Sequence, residues 1–455
     1  MTRAGFRSLL AVAVAAVVIR LAVSATFKGH SYVAAGPVKP ETEASYLKRG
    51  EVDLGDSQQY LLLGASIRHR LSYTWNHEPN TFRTPGYPLL LAVLGNNMLT
   101  ILIVQALLAG LTVLMTGLIG NRLFNPRVGL LGASLLALDV PSIFLSGTVM
   151  SEVLFTFSAV LAAALFLGWS RDRRRKACEG KPSRILSAAA AGLVLGFAAL
   201  VRPVALFAFV PFGLVLVARR NWRGLVLMLV TFSALPGIWM ARNYCHYRRP
   251  NLTSNGGYNL LYANAAAVIG DEQHTTWDVE RLRLARDFTS KLATDNPLEL
   301  ADAMTRKAVS IILHDPLRYA WICLRGVPRV IAGIKSDDLV RRTLAANETA
   351  TQGSVLLNHD YGPRGVGLAI WLLAGFELLT AVGGFLLALV SLGLRRRRTE
   401  TLLLVFVGLY FVAAALPFTD GRFRVPAMPF LYLAAATVLA GSASGTKGVV
   451  AGKVA

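Results

Sequence analysis

GDSQQY at residues 55–60 and RTPGYP at residues 83–88 delimit the polar loop around which we interpret the whole chain. The loop follows the first long apolar run, at about 9–26, and precedes every other apolar run. It contains an isolated acid, an arginine and a Pro-Gly turn that leads straight back into apolar sequence. We therefore expect this loop to lie on one face of a membrane, with the later helices arranged behind it.

The composition is typical of a membrane protein. The 455 residues are 54% hydrophobic and 16% charged, with a mean hydropathy of +0.49. A soluble domain carries about 25% charged residues. Apolar runs of about 20 residues, the length that crosses a bilayer core, recur along the chain. We predict an all-α polytopic membrane protein with about ten transmembrane helices.

We attribute the net charge of +21 to the topology of a membrane protein and not to nucleic-acid binding. Basic residues cluster in short connections between apolar runs, at 171–176, 219–223 and 395–398. Such clusters mark cytoplasmic loops that contact anionic lipid headgroups. We therefore expect no nucleic-acid partner. The first apolar run follows Arg3 and Arg7 and ends without a clear cleavage site, so we interpret it as a retained anchor rather than a signal peptide.

The charge pattern also predicts the topology and the domains. The ten predicted spans lie at about 9–26, 99–123, 128–145, 150–169, 185–201, 204–218, 225–241, 366–392, 402–416 and 425–439. A cytoplasmic N-terminus then places every Arg-rich loop inside. The predicted units are an N-terminal transmembrane catalytic module at 1–241 with its first outward loop at about 28–88, an outward helical segment at 242–364, C-terminal transmembrane helices at 365–441 and a cytoplasmic tail at 442–455.

Cys245 and Cys323 both fall on the predicted outward side, whereas Cys178 falls inside. A disulfide between the two outward cysteines and two free thiols are both compatible with the sequence, since no spacing pattern indicates a disulfide framework.

Five arginines depart from the charge rule because they lie on the predicted outward side. Arg83 is in the first loop, Arg202 follows the fifth span, Arg242 ends the seventh, and Arg422 and Arg424 lie in the last outward turn. An arginine near the membrane midplane costs at least about 2.5 kcal/mol and one near the interface much less, so topology tolerates them without explaining them. The guanidinium group binds phosphate bidentately, which predicts an anionic ligand on this face.

Two outward carboxylates are candidates for chemistry. Asp56 begins a predicted short helix with Gln59 three residues later, so it is either a helix cap or a base that deprotonates a hydroxyl or amine. Tyr60, one turn further on, shares its face and would orient it. Glu152 is at the start of the fourth span. It either stabilises the helix N-terminus by its negative charge or contacts an acceptor or a metal.

Other polar residues have weaker signals. His77 and Glu78 precede Arg83 and are either solvated loop residues or acceptor contacts. The amide-rich run at 251–264 suits either sugar hydroxyls or ordinary turns, and its candidate sugar contacts are Asn255, Tyr258 and Asn259. We find no phosphate-binding Gly-rich loop, no metal-spaced Cys/His cluster and no nucleophile elbow. The sequence requires no cofactor, and a divalent metal is compatible with its acids.

Several islands, taken in chain order, resemble a known family. They are DSQQY at 56–60, RTPGYP at 83–88, SEVLF at 151–155, GFAALVRP at 196–203, WMARN at 239–243, NGGYN at 255–259 and RFRVPAMP at 422–429. This pattern resembles the polyprenyl-phosphate-dependent C-type glycosyltransferases (GT-C fold), which include protein O-mannosyltransferases and bacterial lipid A aminoarabinose transferases.

The resemblance implies a catalytic acid in the first outward loop, which by position is Asp56. It also implies a sugar donor linked through phosphate to a polyprenol, with the phosphate held by outward basic residues, here Arg83, Arg202, Arg242, Arg422 and Arg424. Many protein mannosyltransferases have an acidic pair where this chain has Asp56 followed by Ser57. A lipid, a glycan and a protein are therefore all compatible with the sequence as the acceptor.

The residues and the resemblance agree on a mechanism. Asp56 deprotonates the acceptor, which attacks the anomeric carbon with inversion while arginines hold the leaving polyprenyl phosphate. One alternative is a flippase or transporter, which would more naturally place charged or broken helices at the midplane. Another is a surface-glycan polymerase or ligase that uses diphosphate-linked donors. The Ala/Leu/Arg-rich composition favours a bacterial inner membrane, with both termini cytoplasmic and the site periplasmic or extracellular.

Overall fold

The fold is almost entirely helical. The computed structural model describes residues 3–27, 56–75, 78–168, 182–292, 294–336, 338–340, 364–393, 398–417 and 420–442. Within these ranges the only strands are β1 (Thr74–Trp75) and β2 (Glu78–Pro79), an antiparallel pair in the first polar loop. The predicted all-α class is confirmed apart from this short hairpin.

The helices in the first part of the chain are separated by connections of different lengths. In chain order they are α1 (Arg3–Thr26), α2 (Asp56–Arg70), α3 (Gly86–Val93), α4 (Met98–Leu123), α5 (Pro126–Ala137), α6 (Val140–Ser146), α7 (Glu152–Gly168), α8 (Pro182–Val201), a 3-10 turn (Pro203–Phe207), α9 (Phe209–Ala218) and α10 (Trp222–Tyr247). Asparagine side chains cap three of them, because Asn97, Asn125 and Asn221 each accept a hydrogen bond from a backbone N–H three residues later.

Shorter helices follow before the chain returns to apolar sequence. They are α11 (Asn255–Asn259), a π-helical turn (Leu260–Ala265), α12 (Ala266–Glu272), α13 (Trp277–Asp287), a 3-10 turn (Thr289–Lys291), α14 (Pro297–His314) and α15 (Pro316–Ala332). The last elements are α16 (Arg364–Val390), a 3-10 turn (Ser391–Gly393), α17 (Arg398–Ala413), a 3-10 turn (Gly421–Arg424) and α18 (Met428–Ser442).

Several helices are long and apolar enough to cross a membrane. Among the described residues there are four, namely Arg3–Thr26, Met98–Leu123, Trp222–Tyr247 and Leu368–Gly393. The bent pair α5 and α6 makes five if it counts as one span, and further apolar helices of 10–17 residues accompany them. The chain is thus a multi-pass membrane protein. The count of ten spans, the domain boundaries and the outward position of 242–364 stay predictions.

The predicted span at 128–145 is broken into two helices. The axes of α5 and α6 differ by 57°. Pro141 lies in the first turn of α6 and has no backbone N–H, and Asp139 caps that turn by accepting a hydrogen bond from Ser142 N at 3.0 Å. The break leaves carbonyl oxygens at the end of α5 without partners inside the helix.

Arg20 of α1 supplies the missing donors. Its guanidinium is fully buried and donates to the carbonyl oxygens of Ala137 and Leu136, at 3.1 and 3.4 Å, and to Ser142 Oγ at 3.1 Å. Our sequence analysis did not single out Arg20, because nothing in the run around it indicates a helix break more than 100 residues away. A buried arginine within a helix that can cross the membrane is tolerated when its donors are satisfied in this way.

Small residues bring helices close together around the core. The helices α8 and α10 form the most extensive helix pair. At Gly192 a Cβ would lie 2.3 Å from Met228 O, and at Gly196 it would lie 2.4 Å from Phe232 O. Glycines four residues apart therefore let the two backbones touch, as in other membrane helix pairs. This contact fixes the end of α8, from which Arg202 follows.

We expect Arg20→Ala to reduce the free energy of unfolding by about 2–4 kcal/mol, because it removes the guanidinium donor to the carbonyl oxygen of Ala137 and opens a cavity. Thermal or denaturant unfolding of the purified protein in detergent measures this. Arg7→Ala, at an exposed position of the same helix, is the matched control and should change stability by less than about 0.5 kcal/mol. Equal effects of the two substitutions would contradict the structural role of Arg20.

Candidate active site

Asp56, the first residue of α2, lies between two arginines. Its Oδ1 forms an ion pair with Arg83 Nη2, and its Oδ2 is 3.2 Å from Arg422 Nη1. Arg83 also donates from Nε to Gln59 Oε1 at 2.7 Å. The two side chains of the predicted capping box, Asp56 and Gln59, therefore both contact Arg83. The pair of Asp56 with Arg422 joins residues that are 366 positions apart in the chain.

The RTPGYP stretch places Arg83 beside the end of α8. Thr84 Oγ1 donates a hydrogen bond to Val201 O at 3.3 Å. A Cβ added at Gly86 would lie 2.7 Å from a backbone oxygen of α8, so only glycine allows this approach. Because Val201 directly precedes Arg202, the same contact brings Arg83 and Arg202 to one region.

Glu152 and Arg202 form a second ion pair next to the first. Glu152 is 1% exposed, and its Oε1 is 2.6 Å from Arg202 Nη1. Neither of its oxygens has a partner in good hydrogen-bonding geometry, so the ion pair is close but is not aligned as a hydrogen bond. Arg202 also donates to Ser151 Oγ at 3.3 Å, and Ser151 Oγ is 3.2 Å from the hydroxyl of Tyr60. The Tyr60 ring lies 5.1 Å from the guanidinium carbon of Arg83, which connects the two pairs.

A cavity of about 170 Å³ opens beside these charges. Its polar lining consists of Glu152, Arg202, Arg422, Asn255 and Asn259. Its other side is apolar and includes Phe411 and Ala415 of the region around α17. The cavity therefore combines a charged end with an apolar wall.

Ser151 and Phe423 were not predicted as site residues. Ser151 bridges Arg202 and Tyr60, and the Phe423 ring centroid lies 4.7 Å from the guanidinium carbon of Arg422 and 6.0 Å from that of Arg202. Both belong to islands used above, SEVLF and RFRVPAMP. The available signal was their position next to a charged residue, which is too common to be decisive.

Arg242 lies apart from this cluster. It donates to the carbonyl oxygens of Asn80 at 2.9 Å and Tyr73 at 3.1 Å, and its guanidinium carbon is 4.7 Å from the Trp239 ring centroid. These contacts hold the two residues that flank the β1 and β2 strands. We no longer include Arg242 among the candidate phosphate ligands.

Arg424 is 1% exposed and has a structural set of partners. Its Nη2 is 2.7 Å from Glu377 Oε1, and its Nη1 donates to the carbonyl oxygen of Gly333. Glu377 also accepts hydrogen bonds from the backbone N–H groups of Lys335 and Ser336. Arg424 therefore ties the 3-10 turn Gly421–Arg424 to α16, and we no longer include it as a phosphate ligand either.

A larger cavity, of about 590 Å³, lies on the other side of the 78–82 segment and is not lined by Asp56. Its lining includes Glu78, Phe82, Tyr258 and Asp295. The Phe82 ring packs edge-on against the Tyr258 ring, with centroids 5.6 Å apart. The candidate acceptor residue Glu78 and the candidate sugar contact Tyr258 thus share this cavity. His77 lies outside the described residues.

The described residues do not form a site for a divalent ion. Within the described ranges, no three His, Cys, Asp or Glu side chains come together as ligands. Asp56 and Glu152, the two acids considered as ligands, are each turned toward arginines instead. We therefore derive no step through a metal. Cys245 and Cys323 are both free thiols.

The surroundings of Asp56 keep it ionised. Burial raises the pKa of its carboxyl group, but the opposing charges of Arg83 and Arg422 outweigh burial, and the pKa is lowered overall. Asp56 is consequently a carboxylate throughout the neutral range, and it is a weak base while both arginines are paired with it.

Comparison with known proteins identifies a family domain in the first half of the chain. Residues 72–245 match the family described as dolichyl-phosphate-mannose-protein mannosyltransferase. The resemblance that we drew from the sequence islands is confirmed over this stretch, which includes Arg83, Glu152 and Arg202 but neither Asp56 nor Arg422. No curated protein matches the chain.

Three solved structures are similar over most of the chain. The archaeal oligosaccharyltransferase AglB from Archaeoglobus fulgidus, in complex with an inhibitory peptide and a dolichol-phosphate, matches with 16% identity, a TM-score of 0.48 and coverage of 98% of this chain and 52% of that chain. The apo form of the Archaeoglobus fulgidus oligosaccharyltransferase matches with 15% identity and a TM-score of 0.47, and the match covers 98% of this chain and 53% of that chain. Its complex with Zn and sulfate matches with 14% identity and a TM-score of 0.39, and the match covers 86% of this chain and 45% of that chain. The chain spans about half the length of these proteins, and TM-scores below 0.5 carry no functional conclusion.

We expect the stability contributed by Asp56 to depend on acid pH. Because its folded pKa is lowered, this contribution is complete above the unfolded pKa of about 3.9 and is lost as pH falls through the folded value. The difference in Tm between wild type and Asp56→Asn should be constant from about pH 8 to 5 and shrink below about pH 4. Asp278→Asn, at an exposed position of α13, is the control. A difference that grows on acidification would contradict the assigned pairing.

Proposed function

We propose that this protein is an integral-membrane glycosyltransferase that moves a hexosyl or pentosyl group from a polyprenyl-phosphate donor to an acceptor on the outward face of the membrane. The observation that carries the proposal is the carboxylate of Asp56, held by Arg83 and Arg422 beside a cavity with a charged end and an apolar wall. The family domain at 72–245 supports the same reaction class. We place the protein in a bacterial inner membrane with both termini cytoplasmic.

The charges of the cluster suit one phosphate group. Three arginines, Arg83, Arg202 and Arg422, face the two carboxylates Asp56 and Glu152, and these five groups carry a net charge of +1. Asp420, whose carboxylate is 3.9 Å from Arg422, is itself paired with Lys335 at 3.1 Å. A sugar linked to a polyprenol through a single phosphate carries one negative charge. A diphosphate-linked donor carries more negative charge than the cluster would balance. This favours the transferase over the polymerase or ligase alternative.

The donor would lie with its phosphate on Arg202 and Arg422. These two guanidinium groups line the cavity and present donors suited to phosphate oxygens. The apolar side, formed in part by Phe411 and Ala415, would accept the first units of the polyprenyl chain from the lipid. The buried oxygens of Glu152, which lack well-aligned hydrogen-bond partners, would then receive sugar hydroxyl groups.

Arg422 connects donor binding to the basicity of Asp56. In the free protein it neutralises Asp56 and lowers its pKa. A phosphate that binds Arg422 competes for this charge, so the pKa of Asp56 rises toward its usual value and the carboxylate becomes a better base. The base is thereby activated only when the donor is present.

The proposed step is a single displacement. The acceptor O–H gives its proton to Asp56, and its oxygen forms a bond to the anomeric carbon from the face opposite the phosphate. The bond between the anomeric carbon and the phosphate oxygen breaks, and the electron pair leaves with the polyprenyl phosphate, which Arg202 and Arg422 hold. The configuration at the anomeric carbon is inverted, and the proton passes from Asp56 to water.

The acceptor would be recognised in the 590 Å³ cavity. It borders the segment that leads to Arg83, and its size is within the range of small-ligand sites. Glu78 and Asp295 make its rim acidic, and Tyr247 and Tyr258 supply aromatic surface. Carboxylates repel a phosphorylated lipid, so we propose a neutral or cationic hydroxyl-bearing acceptor, either a glycan or a polypeptide.

We expect Asp56→Asn to lower the rate of sugar transfer about 10²–10⁴-fold without weakening donor binding, because it removes the base and leaves Arg202 and Arg422 in place. The assay is transfer from a polyprenyl-phosphate sugar in vesicles that contain the purified protein, and inversion is read by NMR of the product. Donor translocation that persists in this variant, without transfer in the wild type, would support the flippase alternative instead. Unchanged transfer by a folded Asp56→Asn variant would refute the assignment.

We expect Arg202→Ala and Arg422→Ala each to raise the KM for donor by about tenfold or more, because each removes a charged phosphate contact. Arg249→Ala is the matched control, since Arg249 is an exposed arginine that is only loosely paired with Asp302. Arg422→Ala should also raise the pH at which activity falls on the acid side, because it removes one of the charges that lower the pKa of Asp56. An unchanged KM in both variants would refute the phosphate site.

We expect the double substitution Glu78→Gln and Asp295→Asn to lower transfer to a cationic peptide acceptor by about tenfold and to leave the KM for donor unchanged. A series of acceptors of different charge, assayed at saturating donor, measures this. Improved transfer to a phosphorylated lipid, relative to the wild type, would agree with the acidic rim. Equal loss for all acceptors would show that the rim does not select by charge.

A further inference from the structure

The helix α15 exposes a continuous apolar stripe. Leu317 is 81% exposed, Trp321 54% and Leu324 61%, and Pro328 is exposed one turn further on. These positions recur at intervals of three and four residues, so they share one face of the helix. Large exposed apolar surfaces of this kind mark contacts with another molecule or a membrane.

The charged residues within α15 are all basic. The sequence of α15, PLRYAWICLRGVPRVIA, contains Arg318, Arg325 and Arg329 and no Asp or Glu. The guanidinium carbon of Arg325 lies 5.6 Å from the Trp321 ring centroid, so charge and aromatic surface lie side by side. Arg318 and Arg325 both pair with Asp271 of α12, and Arg318 also pairs with Asp315, which directly precedes α15. These pairs hold the polar side of α15 and leave Arg329 and the stripe exposed.

The C-terminal end of α15 is anchored on membrane-spanning helices. Val330 and Ile331 are buried, and α15 packs against α16 and α17. A Cβ at Gly326 would lie 3.0 Å from a Leu416 side-chain atom, so this contact is close. The neighbouring span α16 exposes apolar side chains of its own, including Trp371 and Leu379. The stripe of α15 is therefore joined to a helix whose exposed surface faces lipid.

We propose that α15 lies in the interface of the bilayer, with its apolar stripe in the boundary between headgroups and acyl chains and the exposed Arg329 against anionic headgroups. An apolar face, a basic polar face and a tryptophan at their edge are the features of interfacial helices. The partner is an anionic lipid surface, because the exposed Arg329 adds positive charge to the helix and α15 packs against apolar helices that include a candidate membrane span.

Docking of α15 also fixes the turn that carries Arg422. Gly333, directly after the helix, accepts a hydrogen bond from Arg424, and a Cβ at Gly333 would lie only 2.7 Å from Gly421 N. The end of α15 thus touches the 3-10 turn Gly421–Arg424, which includes Arg422. The lipid contact itself does not depend on the proposed transferase activity.

Spin labels on the full-length protein test this proposal. Cys178, Cys245 and Cys323 are replaced by serine, and a nitroxide is attached in Leu317→Cys or Leu324→Cys. The matched control is Leu282→Cys in α13, because Leu282 is 64% exposed and lies among charged residues. The protein is reconstituted in vesicles of phosphatidylglycerol and phosphatidylethanolamine, and accessibility to oxygen and to a water-soluble nickel chelate is measured.

We expect the ratio of oxygen to nickel accessibility at 317 and 324 to exceed that at 282 by roughly threefold or more, because oxygen is enriched in the acyl region and nickel is excluded from it. High nickel accessibility at both sites would overturn the proposal. Low accessibility to both reagents would also overturn it, because it would show that protein, a second copy or another chain, covers the stripe.

Tryptophan fluorescence gives a second test that needs no cysteine replacement. Vesicles that contain lipids brominated near the top of the acyl chain quench tryptophans at the interface. Trp321→Phe should lower the quenched fraction of the total emission relative to the wild type. An unchanged quenched fraction would place Trp321 away from lipid and overturn the proposal.

Discussion

The structure depends on the carboxylate of Asp56, which is shared by Arg83 from the first polar loop and Arg422 from the last turn. An ionised group in a poorly hydrated place needs opposite charge close by. This requirement holds together segments 366 residues apart. The same contacts lower the pKa of Asp56, so the carboxylate is a weak base in the free protein. In the proposed reaction it becomes a stronger base only when an anion binds Arg422.

These arginines form two groups according to the groups that accept their hydrogen bonds or pair with their charge. Arg20, Arg242 and Arg424 donate to backbone carbonyl oxygens, which cannot leave, and Arg424 also has a buried carboxylate. Arg202 and Arg422 pair with carboxylates at the edge of a cavity. Only the second kind of contact can be exchanged for a ligand oxygen. We therefore base the proposed phosphate ligands on the kind of partner that each arginine has, rather than on how deeply it is buried.

Much of the fold was predictable, because hydrophobic composition and helix breakers act over a few residues. The all-α class, the multi-pass character and the helix that begins at Asp56 are confirmed, and the family resemblance is confirmed over residues 72–245. The bend in the predicted span at 128–145 was missed, although Pro141 lies in it. A proline allows a break, but the break persists here because Arg20 satisfies the freed carbonyl oxygens.

The sequence by itself determined that this is a helical membrane protein with a polar first loop, an acid at position 56 and a surplus of arginines at predicted outward span ends. Those properties are local and depend on transfer free energies and helix geometry. Only the tertiary structure decided which arginines pair with Asp56 and which donate hydrogen bonds to backbone carbonyl oxygens. It also decided where the cavities lie. Ion pairing falls off within a few ångströms, and the spacing of residues in sequence does not report such distances.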